Sequence, residues 1–253
     1  MRRRVLRFLL VLAFLAFGPA ARAASPFADW VAIFVAGDFH AHSGAKSEVF
    51  DNGRRDLAAA FVKAGFLADN IAQFSVRPHH FKAGQALAST PASIERTLGR
   101  LAARAKGGCL VYMTSHGSPD GLVMGDEYYS PSQLARLVDD ACGQRPTVVI
   151  VSACFSGVFI PPLSASNHMV LTAARPDRTS FGCGQADRYT FFDACVLRSL
   201  PGAHNFTQLG LETQRCVAKE EQVQGADPPS EPQLWIGAAL QADLPLLTFA
   251  RGP

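Results

Sequence analysis

TVVIVSACFSG, residues 147–157, opens on five β-branched residues in a row and ends in a small-residue turn that carries Cys154 and Gly157. An uncharged β-branched run with no polar alternation reads as a strand buried on both faces, which is the habit of parallel strands covered by helices. Upstream, CLVYMTSHG (residues 109–117) repeats the plan and delivers Ser115, His116 and Gly117 at its end. WVAIFVA (residues 30–36) is a third run, closed by Gly37 and followed by a polar loop with His40 and His42.

Between and after these runs the pattern turns helical. From about Asp51, the residues Leu57, Ala58, Phe61 and Val62 share one stripe and Gly65 marks a stop. Thr90-Pro91 opens a helix with Ile94, Leu98, Leu101, Ala102 and Ala105 inside it. Ser130-Pro131-Ser132-Gln133 is a capping box for a helix with Leu134, Leu137, Val138 and Ala141, and residues 121–129 form a hairpin around Gly125-Asp126. Further strands are expected at 71–76, 168–173 and 233–236, and helices near 190–200 and 205–218. Alternation of this kind predicts an α/β fold with a mainly parallel central sheet and helices on both faces.

Arg2, Arg3 and Arg4 precede an apolar run at residues 8–17 and an Ala21-Arg22-Ala23 site, the form of an export signal cut near Ala23. The run is short of the ~20 residues needed to span a bilayer. A periplasmic or secreted mature chain of residues 24–253, one domain with no membrane span, is the expectation. Removing the five arginines of the signal (Arg2, Arg3, Arg4, Arg7, Arg22) and no acid takes the formal charge from +3 to −2. The remaining basic residues are scattered, which argues against a nucleic-acid partner.

Ligands of open α/β sheets collect beyond the carboxyl ends of the strands, where His116 and Cys154 are both expected. A cysteine attacks as its thiolate, so an imidazole able to take the proton turns an ordinary thiol into a nucleophile and can then protonate a leaving amine. Gly117 lets a carbonyl approach its backbone N–H, and with the N–H of Cys154 this makes an oxyanion hole. Either residue alone would more often be packing; two glycine-flanked groups at two strand ends favour chemistry.

Two segments, VYMTSHGSPDGLVMG and VVIVSACFSG, resemble the legumain family of cysteine peptidases, in the family's order and at similar separation. DWVAIFVAG and LTAARPDRTSFGC extend the likeness over roughly residues 30–200. The resemblance implies a caspase-like fold, Cys154 as nucleophile, His116 as its histidine, Gly117 in the oxyanion hole, and Thr179, Ser180 and Phe181 along the substrate channel. Many members carry an acid before the His-Gly pair and another two residues before the cysteine, where this chain has Ser115 and Ser152. Arg54 and Arg55 are candidates, by proximity alone, for a basic residue of the specificity pocket.

The expected partner is a peptide or protein, with no cofactor. A transpeptidase, in which an amine resolves the acyl-enzyme, and a non-catalytic peptide-binding module remain as alternatives. His40, His42, His79 and His80 could ligate zinc, but no acid or cysteine recurs at ligand spacing and solvated loop histidines are expected. Of six cysteines, a free Cys154 leaves five, so at least one more is unpaired within the chain. Cys183 and Cys195 are open to either a bridge or simple packing.

Overall fold

The computed structural model describes residues 24–250. The expected export signal lies outside them. In chain order the strands are β1 (Trp30–Ala36), β2 (Ile71–Ser75), β3 (Leu87–Ala88), β4 (Gly108–Thr114), β5 (Gly117–Ser118), β6 (Gly121–Met124), β7 (Glu127–Tyr129), β8 (Thr147–Ser152), β9 (His168–Thr172) and β10 (Gln233–Ile236). The helices are α1 (Val49–Lys63), α2 (Pro91–Arg104), α3 (Pro131–Cys142), α4 (Ile160–Leu163), α5 (Phe191–Ser199), α6 (Phe206–Gln224) and α7 (Ala238–Asp243).

Seven strands form one sheet in the order β10-β9-β8-β4-β1-β2-β3, parallel except for β10 against β9. The three apolar runs become its centre, β8-β4-β1, and successive side chains go to opposite faces. Trp30, Ala32, Phe34, Leu110, Tyr112, Val148 and Ile150 face the core shared with Leu57, Phe61, Phe192, Val196 and Leu209 of α1, α5 and α6. Val31, Ile33, Val35, Val111, Met113, Val149 and Val151 face Ile94, Leu98, Leu134 and Val138 of α2 and α3. Both faces are therefore dry, which is why these strands show no polar alternation.

Thr90 and Ser130 cap α2 and α3 as expected, Ser130 within a complete capping box with Gln133. The hairpin is β6–β7. Helix α1 begins two residues before Asp51, and α6 runs six residues past Ala218. That last extension has no apolar periodicity; it is held by Glu221, 2% exposed, whose carboxylate accepts the N–H of Ser230. Beyond β1 the chain goes to β2 on one side and later to β4 on the other, so the order reverses between β1 and β4. A crevice for ligands opens at such a point.

Candidate active site

Strands β4 and β8 are neighbours in register, with Thr114 opposite Ser152. The ladder continues one step into the exit loops, where the N–H of Ser115 donates to the carbonyl of Ser152 at 3.1 Å. His116 and Cys154 each lie two residues past that last pair, on strands about 4.8 Å apart. Both line one small cleft, with Phe50, Ser115, Ser152, Ala153, Ser180, Phe181, Cys183 and Thr190. Gly117 follows directly in β5, and its bare Cα is required there: a Cβ would lie 2.2 Å from the carbonyl oxygen of Cys154. Any side chain at 117 would push the two exit loops apart.

The imidazole of His116 donates from Nε2 to the carbonyl oxygen of His40 at 3.0 Å. It packs edge-on against Phe50, with ring centroids 5.0 Å apart. His40 belongs to the loop after β1, across the reversal in strand order. Asp38 braces that loop: its Oδ1 accepts from the N–H groups of Phe39 and His40 (2.6 and 3.1 Å) and from the His40 ring nitrogen Nδ1 at 2.8 Å.

Cys154 is partly buried and unpaired. Its sulfur accepts the N–H of Ser180 at 3.3 Å, and its S–H points to the Ser180 carbonyl at 3.5 Å. Burial pushes the thiol pKa up, and the Ser180 backbone contact opposes that in part. The chain turns sharply after it. Phe155 has φ 58° and ψ 12°, a left-handed conformation uncommon for a bulky residue. Ser156, fully buried, holds the turn by accepting the N–H of Ala174 at 3.1 Å.

Beneath the cleft lies a carboxylate that sequence patterning did not single out. Asp193 of α5 is 0% exposed and accepts from Tyr112 Oη at 2.6 Å and Thr114 Oγ1 at 2.8 Å. Thr190, which lines the cleft, caps α5 by accepting the N–H of Asp193 at 3.0 Å. The Thr190-x-x-Asp193 spacing, a hydroxyl cap with an acid three residues on, was the one signal available for this pair.

The sequence model of the peptidase C13 family matches residues 92–225, a span that holds both His116 and Cys154. The chain belongs to the peptidase C13 family. Among solved structures, caspase-1 from Spodoptera frugiperda superposes with a TM-score of 0.60 at 16% identity, covering 87% of this chain and 92% of that one. No curated protein matches the chain. This C13 member is thus a legumain-type cysteine peptidase with a caspase-like fold, as the sequence resemblance implied.

Within this C13 peptidase, Ser152, Ser180 and Phe181 join His116 and Cys154 at the cleft, whereas Thr179 is exposed and outside its lining. Arg54 does not reach it. Its side chain is 1% exposed, paired with Asp51 at 3.0 Å and bonded to Gln73 at 2.7 Å. Arg55 pairs with Asp56 at 2.7 Å on the surface. Pro161 and Pro162 lie inside α4, away from the cleft lining. Cys109 bridges Cys142 and Cys195 bridges Cys216, so Cys183 is a free thiol and its suggested bridge to Cys195 does not form. Among the described residues no group of three or more His, Cys, Asp or Glu is placed to hold a metal, and no helix is long and apolar enough to cross a membrane.

Proposed function

We propose that this protein is an endopeptidase working through a Cys154 acyl-enzyme, with His116 as base and acid. The observation that carries the reading is the register of β4 and β8, which brings the two groups into one cleft. A carbonyl oxygen can only accept, so the bond to His40 puts the proton on Nε2 and leaves the lone pair on Nδ1.

The resting thiol is protonated and engaged with Ser180. Substrate binding turns it to His116, whose Nδ1 takes the proton as Sγ attacks the scissile carbonyl carbon. The resulting oxyanion accepts the N–H groups of Gly117 and Cys154. His116 then returns the proton to the departing amine, the C–N bond breaks, and a thioester remains. Water, deprotonated by the same imidazole, cleaves the thioester and releases the acid. Backbone groups of Ser180 and Phe181 pair with the peptide.

The export pattern at residues 1–23 and the two disulfides among the described residues support action outside the reducing cytosol. Incubation of the mature protein with peptidyl ketone electrophiles, read by intact mass, tests the mechanism. One adduct is expected, on Cys154, absent in Cys154→Ala and in His116→Ala. Folded, reduced protein that takes up no electrophile would sink the proposal.

A further inference from the structure

We infer that Cys154 and Cys183 form a reversible disulfide across the cleft, which shuts off the nucleophile under oxidising conditions and frees it again when a reducing thiol is present. That the bond switches a peptidase rests on the peptidase reading of the same cleft; the bond itself does not.

Six cysteines divide into two bridges and two free thiols, and both free thiols, Cys154 and Cys183, line the one small cleft. Cys183 follows closely on Ser180, whose backbone N–H is held by the Cys154 sulfur at 3.3 Å. It packs against Ala36, Val49 and Phe50, and Phe50 is the ring that flanks His116. The two thiols feel each other: burial pushes the Cys183 thiol up to about 11, and the charge of an ionised Cys154 is the next cause. Between β9 and α5 the chain forms no regular element, and Cys183 stands there between Gly182, at φ 85°, and Gly184. Glycine on both sides lets the backbone turn the Cys183 sulfur toward its neighbour. Meanwhile its carbonyl, which accepts the N–H of His42 at 3.0 Å, keeps the residue at the cleft.

The oxidant is a small-molecule disulfide, RSSR. Cys154 ionises first, since its charge holds the proton on Cys183. The Cys154 thiolate attacks one sulfur of RSSR; a new S–S bond forms, the old one breaks and RS⁻ leaves. In this mixed disulfide the Cys154 sulfur is uncharged, so the charge that opposed ionisation of Cys183 is gone. Cys183 then gives up its proton and attacks the Cys154 sulfur, expelling the second RS⁻. The two protons of the protein thiols end on the two RS⁻ as two RSH, and two electrons have passed from the protein to RSSR. With its sulfur in the bridge, Cys154 has no thiolate with which to form a thioester. Excess RSH runs the exchange backward. Both cleft thiols are partly exposed whereas the Cys109–Cys142 bridge is buried, so a mild thiol reaches the cleft pair first.

The test equilibrates the folded mature protein with oxidised and reduced glutathione in graded ratios, quenches in acid, caps free thiols with N-ethylmaleimide and maps the disulfides by mass without reduction. Oxidised wild type should be two hydrogens lighter than the reduced form, with the Cys154 and Cys183 peptides joined, no glutathione retained and the other two bridges in place. Cys183→Ser should stop one step earlier, as a stable glutathione adduct on Cys154. Labelling of Cys154 by a peptidyl ketone should be lost in the oxidised wild type and return on adding reduced glutathione. The proposal is overturned if folded wild type retains glutathione on Cys154, joins Cys154 to any other cysteine, resists oxidation at every ratio, or gives the same product as Cys183→Ser. Should that variant not fold, the wild-type map decides alone. A Cys154–Cys183 bond in a protein whose reduced form takes up no ketone would refute the peptidase reading and leave the disulfide standing; ketone labelling without the bond would do the reverse.

Discussion

The Nε2–H of His116 is anchored on the backbone carbonyl of His40, 76 residues away in sequence, at 3.0 Å. Under the proposed mechanism a peptide carbonyl would take the place that a carboxylate holds in a Ser-His-Asp triad, selecting a tautomer and an orientation without carrying charge. Its own position depends on Asp38, which gathers three donors from residues 39 and 40.

Asp38→Ala should therefore lower kcat about tenfold with little change in KM, because the loop that aims His116 loses its brace while the binding surface stays. Asp38→Asn keeps an acceptor oxygen and should retain more of the rate. Steady-state kinetics on one peptide substrate distinguishes the two; equal kcat in Asp38→Ala and wild type would refute the bracing role.

Gly117→Ala is expected to cost about 100-fold in kcat/KM, since the added Cβ meets the Cys154 carbonyl oxygen at 2.2 Å and displaces the turn that holds both the nucleophile and its N–H. Melting temperature should fall only modestly, because the clash is confined to two loops. A fully active alanine variant would mean that the close approach is dispensable.

Burial raises the Cys154 thiol pKa, so the sign of the pH effect is fixed: at neutral pH the thiolate fraction of the free protein lies below that of an ordinary cysteine. Alkylation of Cys154 by iodoacetamide should therefore reach half its plateau rate above about pH 8.5, the pH at which a typical thiol is half ionised. A plateau near neutrality, read by timed quench and mass, would contradict this.

Arg54→Ala should destabilise the fold by about 3 kcal/mol, as it leaves Asp51 buried without its nearest cation, and should leave the preference at the scissile bond untouched. Urea unfolding beside a substrate panel checks both halves. A changed preference would restore Arg54 to the specificity pocket.

Much of this architecture is legible in the sequence because its central strands are buried on both faces. Burial of that kind removes polar alternation, and the runs at β1, β4 and β8 announce both themselves and the residues at their ends. His116, Cys154 and Gly117 are readable for that reason. The carbonyl of His40 is not, since every residue has one and only the fold says which it meets. Asp193 is hidden for a related cause: one acid inside a helix looks like a solvated acid until the hydroxyls of Tyr112 and Thr114, from a distant strand, are seen donating to it. Arg54 misleads in the opposite direction, because closeness in sequence to the loop after β1 says nothing about which face of α1 it occupies.

Cys109 is the second residue of β4, at the opposite end of that strand from His116, and its bridge ties the strand to α3; the other bridge joins α5 to α6. Cys109, Cys142 and Cys195 are at most 2% exposed and Cys216 is half-buried, while Cys154 opens to the cleft. For preparative work, this spatial separation means that the two kinds of sulfur can be handled independently. A gentle reductant will free an oxidised Cys154 before it reaches the buried Cys109–Cys142 bridge. A production host that never oxidises thiols will yield a chain with its nucleophile intact and its bracing absent, and that defect will show as heat lability and a short shelf life rather than as lost turnover.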